Sequence, residues 1–339
     1  MANSQSARQR TRWNVASVLG VMGGVIVGLV VLAFLWPVAT SSPKDLPVAV
    51  TGPDQSVDAA EAAIQQADGP LALEEITDRA GAVRAIEQRD VYGALVLGDE
   101  PEMLVASGAS SVSVQILRGV AGELSQPDAP VTVTDVVPFS ADDPNGAGLT
   151  AASFPLVLGG LIGGVLISLL VVGAERRLAA LVVYGVVAGL AVALVMHSWF
   201  GIVQGHFWLD VLALSLAMVA TSSVVVGFNA LLGPPGIGVA AVLTMFVANP
   251  ISGAAQPPEF IAGPFGEIGQ FFVPGAGSSL IRQISYFPDA SSTREWLVLA
   301  AWAVTGLGLS AVGHARNRSM IDLPESELEH RGQHAAVKA

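Results

Sequence analysis

The chain has 339 residues, of which 52% are hydrophobic and 13% charged, with no cysteine and a formal net charge of −12. A soluble chain carries about a quarter charged residues, so the deficit points to a membrane protein with its apolar residues gathered into long runs. The missing cysteines exclude disulfides, thiolate metal sites and a cysteine nucleophile. The charge is uneven: residues 38–150 hold 18 Asp/Glu against 5 Lys/Arg, a local balance of −13. An acidic soluble domain is therefore expected on a nearly neutral membrane body, and no basic patch suits a nucleic acid.

From the N-terminus, a tail over residues 1–14 carries Arg8, Arg10 and Arg12 and precedes an apolar run at 15–36. That run is longer than the core of a cleaved signal sequence and reads as an uncleaved anchor, transmembrane helix 1 over 15–37. Residues 46–51 (LPVAVT) read as a strand and 54–68 as a helix stopped by Gly69-Pro70. The pattern continues with a strand at 71–76, a helix at 78–89, strands at 92–97 and 103–106, a helix at 110–124 and a strand at 131–137. The order β-α-β-α-β-β-α-β predicts a small α/β domain of about 90 residues, with enough alternating apolar positions to fold alone. The segment PFSADDPNGAG (138–148) is a turn leading to the membrane, with Asp142 and Asp143 among its turn formers.

Residues 151–313 predict a five-helix membrane domain, with spans at 152–173, 178–200, 211–232, 236–255 and 296–312. Three arginine clusters set the orientation: the N-terminal group, Arg176 with Arg177, and Arg316 with Arg318. Six spans with both termini in the cytoplasm place all three inside, and residues 38–150 outside. Asn249-Pro250 would kink or end the fifth span early. The remainder, 314–339, is a cytoplasmic tail. The expected fold is a polytopic α-helical membrane protein of the cell membrane, with six transmembrane helices and an extracytoplasmic α/β domain between the first two.

The only lysines, Lys44 and Lys338, follow Pro43 and Val337, so no phosphate-cradling G-x-x-x-x-G-K-[ST] loop exists. Charged residues between 151 and 313 fall near predicted span ends or in loops, which argues against a proton-driven pump. His197 and His206 sit beside Trp199, Phe200, Phe207 and Trp208 and suit an aromatic interfacial belt. No nucleophile–base pair, metal-ligand spacing or cofactor motif emerges, so no enzyme activity is expected.

Small residues recur at four-residue spacing: Gly20, Gly24 and Gly28; Gly159 with Gly163 and Gly160 with Gly164; Gly185 with Gly189. Such rows let helices approach closely, within one subunit or between two. The double row Gly159, Gly160, Gly163 and Gly164 is the candidate homodimer seam. Residues 249–294 interleave Phe260, Phe265, Phe271, Phe272, Tyr286 and Phe287 with Pro and Gly. Irregular backbone cannot face lipid at depth, so this segment caps the bundle or dips against other helices. A short amphipathic helix is expected at 278–287 with Leu280, Ile281 and Ile284 inward. Phe271, Phe272 and Arg282 are candidates for an exit gate, with Arg282 meeting an anionic headgroup or snorkelling. Glu175, Arg176 and Arg177 form an exposed turn and are candidates for partner contact.

The order of these parts resembles bacterial ABC-2 type transporter permeases, in the branch related to phage-infection-protein-like membrane proteins. The resemblance rests on LPVAVTGPDQS, YGALVLGDEPEMLVASG, VVPFSADDPNG and NPISGAAQPPEF…GQFFVPGAGSSLIRQISYF, taken in that order. It implies a dimeric permease that pairs with a separate ABC ATPase subunit and exports lipids, drugs or envelope polymers. The connections that would meet an ATPase are short, Ala174-Glu175-Arg176-Arg177 and Gly233-Pro234-Pro235-Gly236. A cell-envelope scaffold or receptor is the other class the resemblance allows.

Overall fold

The computed structural model describes residues 12–66, 69–125, 127 and 129–321. The first helix, α1 (Trp13–Thr40), leads into β1 (Leu46–Thr51), α2 (Asp54–Gln66), β2 (Leu71–Glu75), α3 (Arg79–Glu87), β3 (Gly93–Val96), β4 (Glu102–Val105), α4 (Ser111–Leu124) and β5 (Thr132–Asp135). The strands form one sheet in the order β2-β1-β3-β4-β5, parallel except for the β3–β4 pair. Register is set by pairs such as Val48 with Leu73, Val50 with Leu95 and Leu95 with Met103. In β1, Leu46, Val48, Ala49 and Val50 are all fully buried, as a central strand covered on both faces requires. Val57, Ala60, Val114, Leu117 and Ala121 of α2 and α4 pack on one face, and Ala82 and Ile86 of α3 on the other. Asp78 and Ser110 cap α3 and α4 by accepting from Gly81 N–H at 2.6 Å and Ser113 N–H at 3.2 Å, which is why those helices start there.

The second half is helical: α5 (Ala147–Leu170), α6 (Ala174–Ala193) with a π turn to Trp199, α7 (Phe207–Leu232), α8 (Pro234–Ala241) with a π turn to Ala248, α9 (Phe265–Gly269), α10 (Val273–Tyr286) and α11 (Thr293–Ile321). Among the described residues, five helices are long and apolar enough to cross a membrane: Trp13–Thr40, Ala147–Leu170, Ala174–Trp199, Phe207–Leu232 and Thr293–Arg316. This is the architecture of a polytopic membrane protein with a small mixed-sheet domain. Helix α7 is the hub. A Cβ on Gly160 or Gly164 of α5 would meet Thr221 or Val225, and one on Gly306 or Gly313 of α11 would meet Ser223 or Ala230, so α5 and α11 run parallel to α7. Gly185 and Gly189 of α6 oppose Val219 and Ser215 in the antiparallel sense. The first helix stands apart, touching the rest through Phe34 against Phe154 and Phe246, and Trp36 against Phe265.

The fifth span expected at 236–255 is corrected. The continuous helix Pro234–Ala248 has 15 residues, about 22 Å at 1.5 Å per residue and short of a hydrocarbon core of about 30 Å. Asn249-Pro250 ends it, because proline clashes with the preceding turn. A second short helix, α10, begins at Val273 rather than 278. The end of α8 (Thr244, Ala248) and the start of α10 (Val273, Pro274) line one cleft beside Thr221, halfway along α7. From there α10 runs to the domain end of the bundle, where the Tyr286 hydroxyl donates to Ile202 O at 2.6 Å. Of its expected inward residues, Leu280 and Ile281 are buried and Ile284 partly so. Residues 249–272 leave the break, rise to the sheet and return.

Candidate functional site

The excursion at 249–272, the α/β domain and α10 enclose a polar cavity of about 600 Å³. Its lining includes Arg89 and Tyr92 from the domain, Glu259, Glu267 and Gln270 from the excursion, Arg282 and Gln283 from α10, and Arg294 and Glu295 from α11. The non-helical backbone at Gly253 and 255–257 borders this cavity, and lining a cavity is the condition under which irregular backbone is tolerated in a membrane protein.

Arg89 is delivered by the end of α3. Its N–H donates to Ile86 O at 3.0 Å and that of Asp90 to Ala85 O at 2.9 Å, the paired bonds of a Schellman ending. The residue closing such an ending takes a left-handed conformation and is most often glycine; Arg89 holds it at φ +62°. The guanidinium lies 5.4 Å from the centre of the Phe287 ring and donates to Ser279 O at 3.5 Å. Burial depresses its pKa below the ordinary arginine value. Tyr92 donates its hydroxyl to Glu259 at 3.2 Å. Burial, reinforced by the Glu259 carboxylate, raises its pKa, so the phenol stays a donor at neutral pH.

From the bundle, Arg282 donates to Ala254 O at 3.2 Å, while its Nε is buried without a partner. Gln283 is 8% exposed; its amide donates to Ser291 O at 3.2 Å and its Oε1 is unpartnered. Glu295 is 5% exposed, with Oε1 on Arg294 at 3.2 Å and Oε2 unpartnered. Gln270 donates to Ser252 O at 2.8 Å and holds the excursion closed. Among the described residues, neither Arg89 nor Arg282 lies within ion-pair distance of a carboxylate. The cavity therefore presents two arginines without carboxylate partners, and two acceptor oxygens without donors.

Of the residues singled out from sequence, Arg282 lies in this cavity and Phe271 at its margin, 58% exposed. Phe272 points elsewhere: it stacks on Trp302 at 5.6 Å, while the Phe271 carbonyl accepts from the Trp302 ring at 2.7 Å. The three do not form one gate. Glu175 and Arg176 are exposed at the far end of the bundle. Arg177 is occupied there, donating to Val171 O at 2.8 Å and Ser168 O at 3.2 Å and so closing the end of α5. Gly160, Gly163 and Gly164 are buried against Thr221, Tyr184 and Val225 of the same chain, and Gly159 O accepts from the Tyr184 hydroxyl at 2.5 Å. That double row packs α5 within the subunit.

Sequence reasoning missed Arg89, Tyr92, Glu259, Gln283 and Glu295. Arg89 looked like the polar end of a helix, and only its handedness marks it. It also missed a half-buried pair: His197 Nδ1 lies 2.7 Å from Asp210 Oδ2, with Asp210 fully buried and His197 partly exposed. The aromatic surroundings had suggested an interfacial belt, and Trp199 and Trp208 do lie exposed beside it.

Fold and cavity together define a polytopic helical membrane protein with an α/β domain seated on one end of its bundle. Comparison with protein-family models, curated proteins and solved structures finds no match.

Proposed function

We propose that the chain is the membrane-spanning permease subunit of an ABC-2 type exporter, moving a hydrophobic or lipid-like substrate with energy from a separate ATPase subunit. The observation that carries this reading is the broken traverse. Two half-helices meet halfway along α7, and the irregular chain between them borders an open cavity. Bundles that only anchor a domain have no need of such a break, whereas transporters use discontinuous helices to build substrate sites. The absent phosphate loop assigns nucleotide hydrolysis to a partner. Counting the α8–α10 pair as one crossing gives six, with the start of α1 and the end of α11 both away from the domain. The arginine clusters then put both termini in the cytoplasm and the α/β domain outside; Arg8 and Arg10 lie outside the described residues.

The placement of side chains sharpens the partner surface to Glu175 and Arg176, since Arg177 serves α5. Affinity purification in mild detergent tests the reading: a nucleotide-binding subunit should co-elute. Arg176→Gln should weaken that association with insertion unchanged, and Phe271→Ala should impair export with association unchanged. Absence of any ATPase, together with no export defect in cells lacking the protein, would overturn it.

A second reading is a cell-envelope scaffold or receptor, supported by the way the domain is fixed to the bundle. Phe260 is buried on one face of the sheet, and Tyr286 and Phe287 on the other. Such clamping holds a domain in a constant pose for a partner outside the cell.

A further inference from the structure

We infer that the cavity binds the headgroup of a phospholipid bearing both a phosphate and N–H or O–H donors, with Arg89 and Arg282 on the phosphate. The inference deepens the permease reading and rests on it for the idea that lipid is handled at all. Three observations carry it.

The first is the arginines. They come from different parts of the chain, one ending α3 and one midway along α10, and enter one cavity. Like charges gathered in a half-buried space repel unless an anion lies between them. Each guanidinium is a planar fork of donors suited to phosphate oxygens, and the buried Arg282 Nε is still unused. Arg89 is held in a conformation that disfavours any residue but glycine, and strain kept at a cavity wall is where a ligand contact is expected.

The second is the acceptors. A bare anion does not suit this space, because the same lining carries Glu259, Glu267 and Glu295. Three arginines and three glutamates leave the cavity neutral overall yet divided, with Arg294 already on Glu295 and Tyr92 on Glu259. Glu295 Oε2 and Gln283 Oε1 are buried acceptors that need donors. A phosphate ester with an attached ammonium or hydroxyl supplies both requirements. A phosphocholine group does not, because its quaternary nitrogen has no N–H.

The third is the path for the tail. The polar cavity takes Thr150 from α5, with Gly146 just before that helix, and Ser279, Arg282 and Gln283 from α10. The neighbouring cleft takes Leu149, Ser153 and Leu156 from α5 and Gly277, Ser278 and Ile281 from α10. Two helices thus present a polar wall at the domain end and an apolar one toward the middle of the bundle, the polarity of a lipid.

The experiment uses the full chain, purified in mild detergent and placed in nanodiscs of phosphatidylcholine doped with one test component. Lipid retention is read by native mass spectrometry and stabilisation by thermal melting. Phosphatidylethanolamine and phosphatidylglycerol should be retained about ten-fold over phosphatidylcholine, the scale of one or two charge-assisted bonds. Diacylglycerol, with donor but no phosphate, should not be enriched. Arg282→Gln and Arg89→Gly should each bring retention of phosphatidylethanolamine and phosphatidylglycerol most of the way down to that of diacylglycerol, while Arg84→Gln, exposed on the same helix as the Arg89 ending, should keep it. Equal retention of phosphatidylcholine, or unchanged retention of phosphatidylethanolamine and phosphatidylglycerol in the two arginine variants, would overturn the proposal. Stabilisation by inorganic phosphate as strong as by lipid would overturn the lipid source in favour of a free-anion site. The four-lipid comparison needs only the wild-type chain, so a variant that fails to fold does not blunt it. No ATPase is present, so loss of the exporter reading and loss of this one give different results.

Discussion

At the residue scale, Arg89 shows how one backbone angle separates stability from function. A side chain in the left-handed region costs about 1–2 kcal/mol, because Cβ crowds the following carbonyl, and glycine escapes this. Replacing Arg89 removes the same guanidinium contacts whether alanine or glycine takes its place. The pair Arg89→Ala and Arg89→Gly therefore isolates the strain. Arg89→Gly should be the more stable of the two by about 1 kcal/mol in denaturant melts, with both losing phospholipid retention. Equal stabilities would mean that the left-handed ending is not strained in solution. The sequence did not reveal this position. A helix pattern over 78–89 assigns Arg89 to the solvated end of a helix, and nothing in residue type signals the handedness of the last link. Arg282 was legible because an arginine within a short apolar helix has few places to go. Its partners in the cavity were not, since Glu259, Gln283 and Glu295 converge only once the excursion folds back.

At the element scale, the α/β domain was legible almost to the residue because its signals are local: Val- and Leu-rich strands, capping Asp78 and Ser110, and a stop at Gly69. The membrane elements were legible where hydropathy alone decides. They were less so where a helix breaks, because the short α8 and amphipathic α10 each fall below the length of a span. The glycine rows divide instructively. In α5, a side chain on Gly160, Gly163 or Gly164 would overlap Thr221, Tyr184 or Val225. In α1, Gly20, Gly24 and Gly28 have nothing within 4 Å. Spacing is the same in both rows; what differs is whether another helix of the chain lies alongside, which composition does not encode. Gly164→Ile should therefore destabilise the purified chain by about 1–3 kcal/mol, the usual scale of overpacking. Gly24→Ile should leave the melt of the isolated subunit unchanged. A comparable loss from both would show that α1 is packed in solution, against the bundle or another copy.

At the scale of the whole molecule, domain and bundle share their cores. The expectation that residues 46–137 fold alone counts apolar positions correctly but omits three aromatic side chains supplied from outside. Phe260, 2% exposed, completes the face under α2 and α4, and Phe287, 1% exposed, completes the face under α3 beside Tyr286. The link is reinforced where Ser42 N–H donates to Phe260 O at 3.2 Å and where Arg89 lies over Phe287. Removing a large buried aromatic costs about 3–5 kcal/mol, comparable with the whole stability of a domain this small. A soluble 46–137 fragment should therefore lack a cooperative melt, although its strands and helices are well specified. In the full chain, Phe287→Ala should lower the stability of domain and cavity together, read as protease cleavage in both the domain and residues 249–272. Ala is small enough to create a void at that site without adding polarity, so the effect reports packing. A cooperative melt from the isolated fragment, with cleavage of Phe287→Ala confined to residues 249–272, would mean that the two bodies are merely in contact. Joint loss means that the domain and residues 249–272 unfold as one unit, coupled through Phe260, Tyr286 and Phe287.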